Sequence, residues 1–211
     1  DESVESVGFD VDLAKEVAER LDVEITFQPI DWAMKETELA SGNIDMIWNG
    51  YTITEERKEK VLFTEPYLNN SQIIVTMADS DIERKADLAG KVVATQQGSA
   101  AFDAINADET GIAAEFDGGT AILYPTFNDV FNDLESGRSD AIVVDEVLGR
   151  YTMKQKGEEK YAVLTDNFGD EEYGVGLRKD DVALKEAIDE ALNDMRKDGT
   201  YDEIYTTWFA E

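Results

Sequence analysis

The chain has 211 residues, with 48 Asp and Glu against 19 Lys and Arg, giving a formal net charge of −29. A surface of that sign repels phosphate backbones and anionic headgroups, which argues against a nucleic-acid partner. No apolar run approaches the roughly 20 residues a membrane helix needs, and the absence of Cys and His removes disulfides, thiol nucleophiles, His bases and nearly every transition-metal site.

Asp1 to Val7 reads as a polar loop, with neither the basic stretch nor the apolar core of a signal peptide. Leu13, Val17 and Leu21 then fall at four-residue spacing, flanked by Ala14 and Ala18, which predicts an amphipathic helix over 8–21 with Asp10 as its cap. Val23 to Phe27 alternates and predicts a strand. After Pro29 and Asp31, a second helix is expected from Trp32 to Ala40, stopped by Gly42, then a short strand from Ile44 to Trp48.

The pattern continues with a strand at Lys91 to Thr95 and a helix opened by Gly98 that runs to about Asn106. A strand at Ala121 to Tyr124 leads to a helix from Thr126 to Ser136, ended by Gly137. Asp140 to Val144 is a strand that feeds a helix from about Glu146. Tyr173 to Arg178 returns as a strand, and Asp181 to Lys197 forms a long helix ended by Gly199. Such alternation predicts βαβ units and mostly parallel sheets.

Two stretches look alike, LASGNIDMIWNG at 39–50 and LESGRSDAIVVD at 134–145. Each is a helix end, a Ser-Gly stop, an Asp and a buried strand with a polar finish. This suggests two similar lobes, each with one strand whose carboxyl end delivers functional groups, where open α/β sheets hold ligands.

The candidate site residues cluster at these strand ends. In Asn49-Gly50-Tyr51-Thr52-Ile53-Thr54-Glu55-Glu56-Arg57, Gly50 allows close backbone approach and Thr52 adds a hydroxyl. Thr54 can cap a short helix that places the Arg57 guanidinium beside the strand. A planar fork of donors suits a carboxylate, although Arg57 could equally be a surface cation paired with Glu55, Glu56 or Glu59. Gln97-Gly98-Ser99-Ala100 offers free N–H groups at a helix start, a setting for an anion that is also an ordinary βα turn. Asp145 follows the strand IVV and could accept from an ammonium or simply cap the next helix. Trp32 could form a flat apolar wall or a piece of core. The combined set of Arg, amides, acid and aromatic complements the carboxylate, ammonium and side chain of an α-amino acid.

The ordered segments GFDVDLAKEVAERL, LASGNIDMIWNGYTITEERKEKVLFTEPY, DLAGKVVATQQGS, LESGRSDAIVVDE, YGVGLRKDD and ALNDMRKDGTYDEIYTTWF resemble the polar amino-acid substrate-binding proteins of ABC transporters, the bacterial extracellular solute-binding family 3. The resemblance implies a two-lobe, periplasmic-binding-protein-like II α/β fold with two hinge crossings, lobe 1 being 1–71 and 168–211 and lobe 2 being 72–167. It implies that Arg57 clamps the ligand carboxylate, helped by Thr52 and the N–H of Ser99 or Ala100. Asp145 and the Gly50 carbonyl would take the ammonium, Trp32 would wall the side chain, and Asn49 would touch its rim. Gln96 and these rim residues suggest a polar or flat side chain.

The implied protein is an extracytoplasmic monomer with no cofactor and no metal, whose partners are a free amino acid and the transporter permease. A signal peptide or lipid anchor would belong to its gene. The family's opening strand and aromatic loop do not appear ahead of GFDVDLA, Ala100 stands where many members have Thr, and Trp48 replaces a small aliphatic residue. Two other readings remain open at this point. One is an enzyme of the cyclohexadienyl dehydratase type, which needs an acid that only Glu171 or Glu172 could supply. The other is the ligand-binding ectodomain of a sensor.

Overall fold

The computed structural model describes residues 6–209. The chain divides into two compact units. One comprises residues 1–30, 34–68 and 173–211, the other residues 31–33 and 69–172.

In the first unit, α1 (Phe9–Arg20) buries Phe9, Leu13, Ala14, Val17 and Ala18 along one stripe. Helix α2 (Lys35–Ser41) follows a 3-10 turn at Trp32–Met34, so the helix expected from Trp32 is tighter in its first turn. A three-stranded sheet runs β1 (Met46–Ile47), β8 (Gly176–Leu177), β2 (Leu62–Phe63), with the short helix α3 (Glu55–Lys60) between β1 and β2 in sequence. Both of its ladders are antiparallel, because the returning strand β8 lies between the two earlier ones. Parallel pairing is therefore confined to the other unit. Helices α7 (Val182–Asp198) and α8 (Thr200–Phe209) close this unit. Phe9 meets the rings of Tyr201, Tyr205 and Phe209 at centroid distances of 5.9, 6.1 and 5.0 Å.

Two expectations fail here. Residues 23–30 form no strand, because a strand needs a hydrogen-bonded neighbour and none pairs with this stretch among the described residues. Val23 remains 57% exposed. Asp10 is not the cap of α1. That position is Gly8, which carries no side-chain bond, while Asp10 lies one residue inside the helix and turns its carboxylate to other partners.

The second unit is a five-stranded sheet in the order β5-β4-β6-β3-β7. Its strands are β3 (Leu68–Met77), β4 (Val93–Gln96), β5 (Ile122–Tyr124), β6 (Ala141–Asp145) and β7 (Tyr161–Tyr173). Strand β4 pairs parallel with β5 and β6, and β3 runs antiparallel to β6. Alternate residues enter opposite cores. Ile74, Val93, Ala141 and Val143 pack with Ala101 and Ile105 of α4 (Ala100–Ala107). Ile73, Val75, Ala94, Ile142 and Val144 pack with α5 (Phe127–Glu135) and with Met153 of α6 (Glu146–Lys156). A sheet covered on both faces explains why IVV is a continuous apolar run.

Candidate functional site

The site residues of the first unit lie on the chain between β1 and β2. Gly50 sits at φ 56, a conformation that glycine adopts without a steric penalty. A Cβ there would stand 3.2 Å from the Tyr173 ring. The Gly50 amide donates to Asp10 Oδ2 at 2.7 Å, and the Tyr67 hydroxyl donates to the same oxygen at 2.9 Å. Burial pushes the Asp10 carboxyl up to about 6, partly offset by these two donors. Asp10 therefore ties the loop to α1, a role that reading the position as a helix cap missed.

Tyr51 is fully buried, stacks on Phe63 at 5.0 Å and donates its hydroxyl to Glu36 at 2.9 Å. Burial first, and then the Glu36 charge, pushes the Tyr51 phenol far above its ordinary range. The guanidinium carbon of Arg57 lies 4.7 Å from the Tyr51 ring centroid, a cation-π arrangement. Arg57 Nη1 donates to the Thr52 carbonyl at 3.0 Å, and Arg57 is 5% exposed. Its backbone amide donates to Thr54 Oγ1, which caps α3 as the sequence predicts.

The reading of Arg57 as an outer-surface cation loses support, since Glu55 pairs with Lys58 and Glu56 with Lys60, each at 2.7 Å. Thr52 forms an isolated bridge with Tyr173, and its buried Oγ1 has no hydrogen-bond partner among the described residues. An unmade bond of this kind is costly, so Thr52 is an acceptor and donor held in reserve beside Arg57. Asn49 is exposed, and Trp32 is half-buried in the 3-10 turn.

In the second unit, β4 and β6 are adjacent and parallel, so the QGSA turn and Asp145 emerge at the same carboxyl edge of the sheet. Gly98 takes φ 68, and Ser99 caps α4, accepting from the Phe102 amide at 3.3 Å. The first-turn amides of Ala100 and Ala101 have no intrahelical acceptor, which is the setting for an anion. Gln96 is turned back to the Pro125 carbonyl at 2.9 Å.

Asp145 occupies the cap position of α6 without capping it, so that reading falls. Its Oδ1 instead accepts from Gln72 Nε2 at 2.7 Å and Asn70 Nδ2 at 3.0 Å. The same two amides also donate to Glu171 Oε1, Asn70 at 2.6 Å and Gln72 closer still. Asn70 and Gln72 are buried polar residues two apart on β3, hence on one face. Sequence reasoning passed over both, because a strand reading weighs apolar residues and gives buried amides no signal.

Two α/β units, one presenting a buried guanidinium and the other an amide-held acid pair at a strand's carboxyl edge, define a binding scaffold for a zwitterion. The chain belongs to the Bacterial extracellular solute-binding proteins, family 3, which it matches over residues 1–211. It is 32% identical over 210 residues to the lysine/arginine/ornithine-binding periplasmic protein of Escherichia coli (strain K12), covering 96% of this chain and 79% of that protein. A crystal structure of an ABC uptake transporter substrate binding protein from Streptococcus pneumoniae with bound histidine shares the fold at TM-score 0.95 and 38% identity, covering 100% of this chain and 86% of the other. An ancestral arginine-binding protein bound to arginine does so at TM-score 0.90 and 39% identity, covering 100% and 91%. The family is one of transport proteins that bind solutes outside the cytoplasm rather than catalysts. Among the described residues no helix is long and apolar enough to cross a membrane.

Proposed function

We propose that this chain captures a free L-amino acid outside the cytoplasm, by closure of its two units on the ligand, and delivers it to the permease of an ABC importer. The observation that carries the reading is Arg57, nearly fully buried against Tyr51 with one N–H on the Thr52 carbonyl. A guanidinium fixed in this way is preorganised for a carboxylate, so little side-chain freedom is lost on binding. Thr52 and the amides of Ser99 and Ala100 complete the carboxylate's partners. Asp145, with the Gly50 carbonyl, accepts the ammonium, while Trp32, Asn49 and Gly98 border the ligand.

Arg57 and Asp145 belong to different units. A ligand that meets both therefore favours the closed arrangement by its differential affinity for it. The names of the relatives, which bind histidine, arginine, lysine or ornithine, support a polar amino acid.

A thermal-shift panel of the common amino acids on the purified chain tests the reading. At least one should raise the melting temperature in a concentration-dependent way. No shift with any of them at millimolar concentration contradicts amino-acid capture.

A further inference from the structure

Three neighbouring strands converge on one small polar cluster. Asp145 ends β6, Gln72 lies opposite it in the β3 ladder, Asn70 lies two residues earlier on the same face, and Glu171 comes from β7 on the other side of β3. An amide group has two N–H donors. Asn70 gives one to Asp145 and one to Glu171, and Gln72 does the same. All four donors are thus spent on two carboxylates, and all four are neutral.

The arrangement holds two like charges together without cancelling either. Each carboxylate can accept about four hydrogen bonds, and these amides supply two apiece. An independent sign of an absent donor lies on the same cluster. Gln72 is 1% exposed, and the Oε1 of the very amide whose nitrogen serves both acids is buried with no hydrogen-bond partner among the described residues. The adjacent acid Glu146 is turned away, accepting from Ser71 at 2.7 Å and pairing with Arg150 at 2.7 Å.

We infer that Glu171 is a second recognition acid beside Asp145, and that together they select amino acids with a cationic side chain over neutral or acidic ones. The inference rests on the proposed amino-acid capture and deepens it. Against one buried guanidinium, which answers the ligand carboxylate, stand two acids. A neutral amino acid brings one positive group for them, whereas a basic one brings two. Burying a charge is favourable only when it is matched, so the ligand of net charge +1 leaves the fewest unmatched. This also gives Glu171 a use other than that of a general acid.

Calorimetric titration of the full chain with L-arginine, L-citrulline and L-glutamine tests it, citrulline being the neutral near-isostere of arginine. Arginine should bind roughly tenfold or more tighter than citrulline, as expected for a hydrogen bond to a charged group. In Glu171→Gln that preference should collapse while glutamine affinity changes by less than about threefold, and Glu171→Asp should restore much of it. Equal affinity of the unaltered chain for arginine and citrulline overturns the inference, and this comparison needs no variant to fold. Equal losses for arginine and glutamine in Glu171→Gln also overturn it, leaving Glu171 as a support for Asp145. Binding of glutamine but not arginine defeats the substrate class and leaves amino-acid capture standing, whereas no binding of any of the three defeats both.

Discussion

The segments 39–50 and 134–145 are the same device built twice, once in each unit, and put to opposite electrical use. In the first, the Gly42 amide donates to the Leu39 carbonyl and Asn43 to that of Glu38. In the second, Gly137 donates to Leu134 and Arg138 to Asp133. Ser41 and Ser136 donate to the carbonyls of Glu38 and Asp133. Even the side-chain pairs correspond, since Asn43 donates to the Glu38 carboxylate and Arg138 to that of Asp133. Both turns stop a helix with a left-handed glycine and lead to a buried Ile, Ile47 or Ile142.

The difference lies at the strand ends. At the position where the second segment carries Asp145, the first carries Gly50, so one strand delivers an acid and the other a bare backbone leading to Arg57. Local sequence thus builds the frame, and a single position at its exit sets the sign of what the frame presents.

Four changes break or sharpen this comparison, taken from the largest expected effect. Asp145→Asn should weaken amino-acid binding by roughly 30-fold or more, about 2 kcal/mol, because a buried ammonium loses its counter-charge. Calorimetry measures this loss, and an unchanged affinity would place the ammonium elsewhere.

Asp10, which ties down the Gly50 exit, provides a pH test with no counterpart at Asp145. Its carboxyl titrates at about 6 when folded, against an unperturbed 3.8, because it is buried. The folded chain therefore prefers the protonated form. The stability this confers is full below the unfolded value and is lost as pH rises through about 6. Asp10→Asn removes the titration. Denaturant melts should show the variant gaining roughly 2–3 kcal/mol relative to the unaltered chain between about pH 4 and pH 7. A difference that does not change with pH contradicts this account of Asp10.

Gly176→Ala places a Cβ 2.6 Å from the Tyr51 ring in the first unit, and Gly149→Ala places one 2.8 Å from Val144 Cγ2 in the second. Overpacking of this kind costs roughly 1–3 kcal/mol, and each substitution should lower the denaturant midpoint of its own unit. Gly42→Ala and Gly137→Ala should cost least, about 1 kcal/mol each and equally. Their φ values are 79 and 72, and neither Cβ would meet anything within 4 Å. Unequal costs would show that the two turns are less alike than their bonds suggest.

Much of this was legible in the sequence, for physical reasons that can be named. The Ser-Gly stops, the Thr54 and Thr126 caps and the IVV core strand are signals of short range, and all formed where expected. The segment VEITF alternates as a strand should, but a strand is a pairing between distant segments, which alternation alone cannot supply. Strands β3 and β7 and helix α8 were passed over. In β3 the polar run Asn70-Ser71-Gln72 hides a buried strand, and its amides become visible only when Asp145 and Glu171 arrive from other strands. For the same reason Arg57 and Asp145 could be named from their motif, whereas Glu171 looked like one more acid on an acidic surface.

The central claim is that Arg57 fixes the carboxylate of an amino-acid ligand. It is tested most directly by isothermal titration of Arg57→Ala with the amino acid that most stabilises the unaltered chain, alongside circular dichroism to verify the fold. The account predicts an unchanged spectrum and binding weakened by about 100-fold or more, the scale of losing a charged, largely buried partner. Near-normal affinity in a folded Arg57→Ala chain would contradict it.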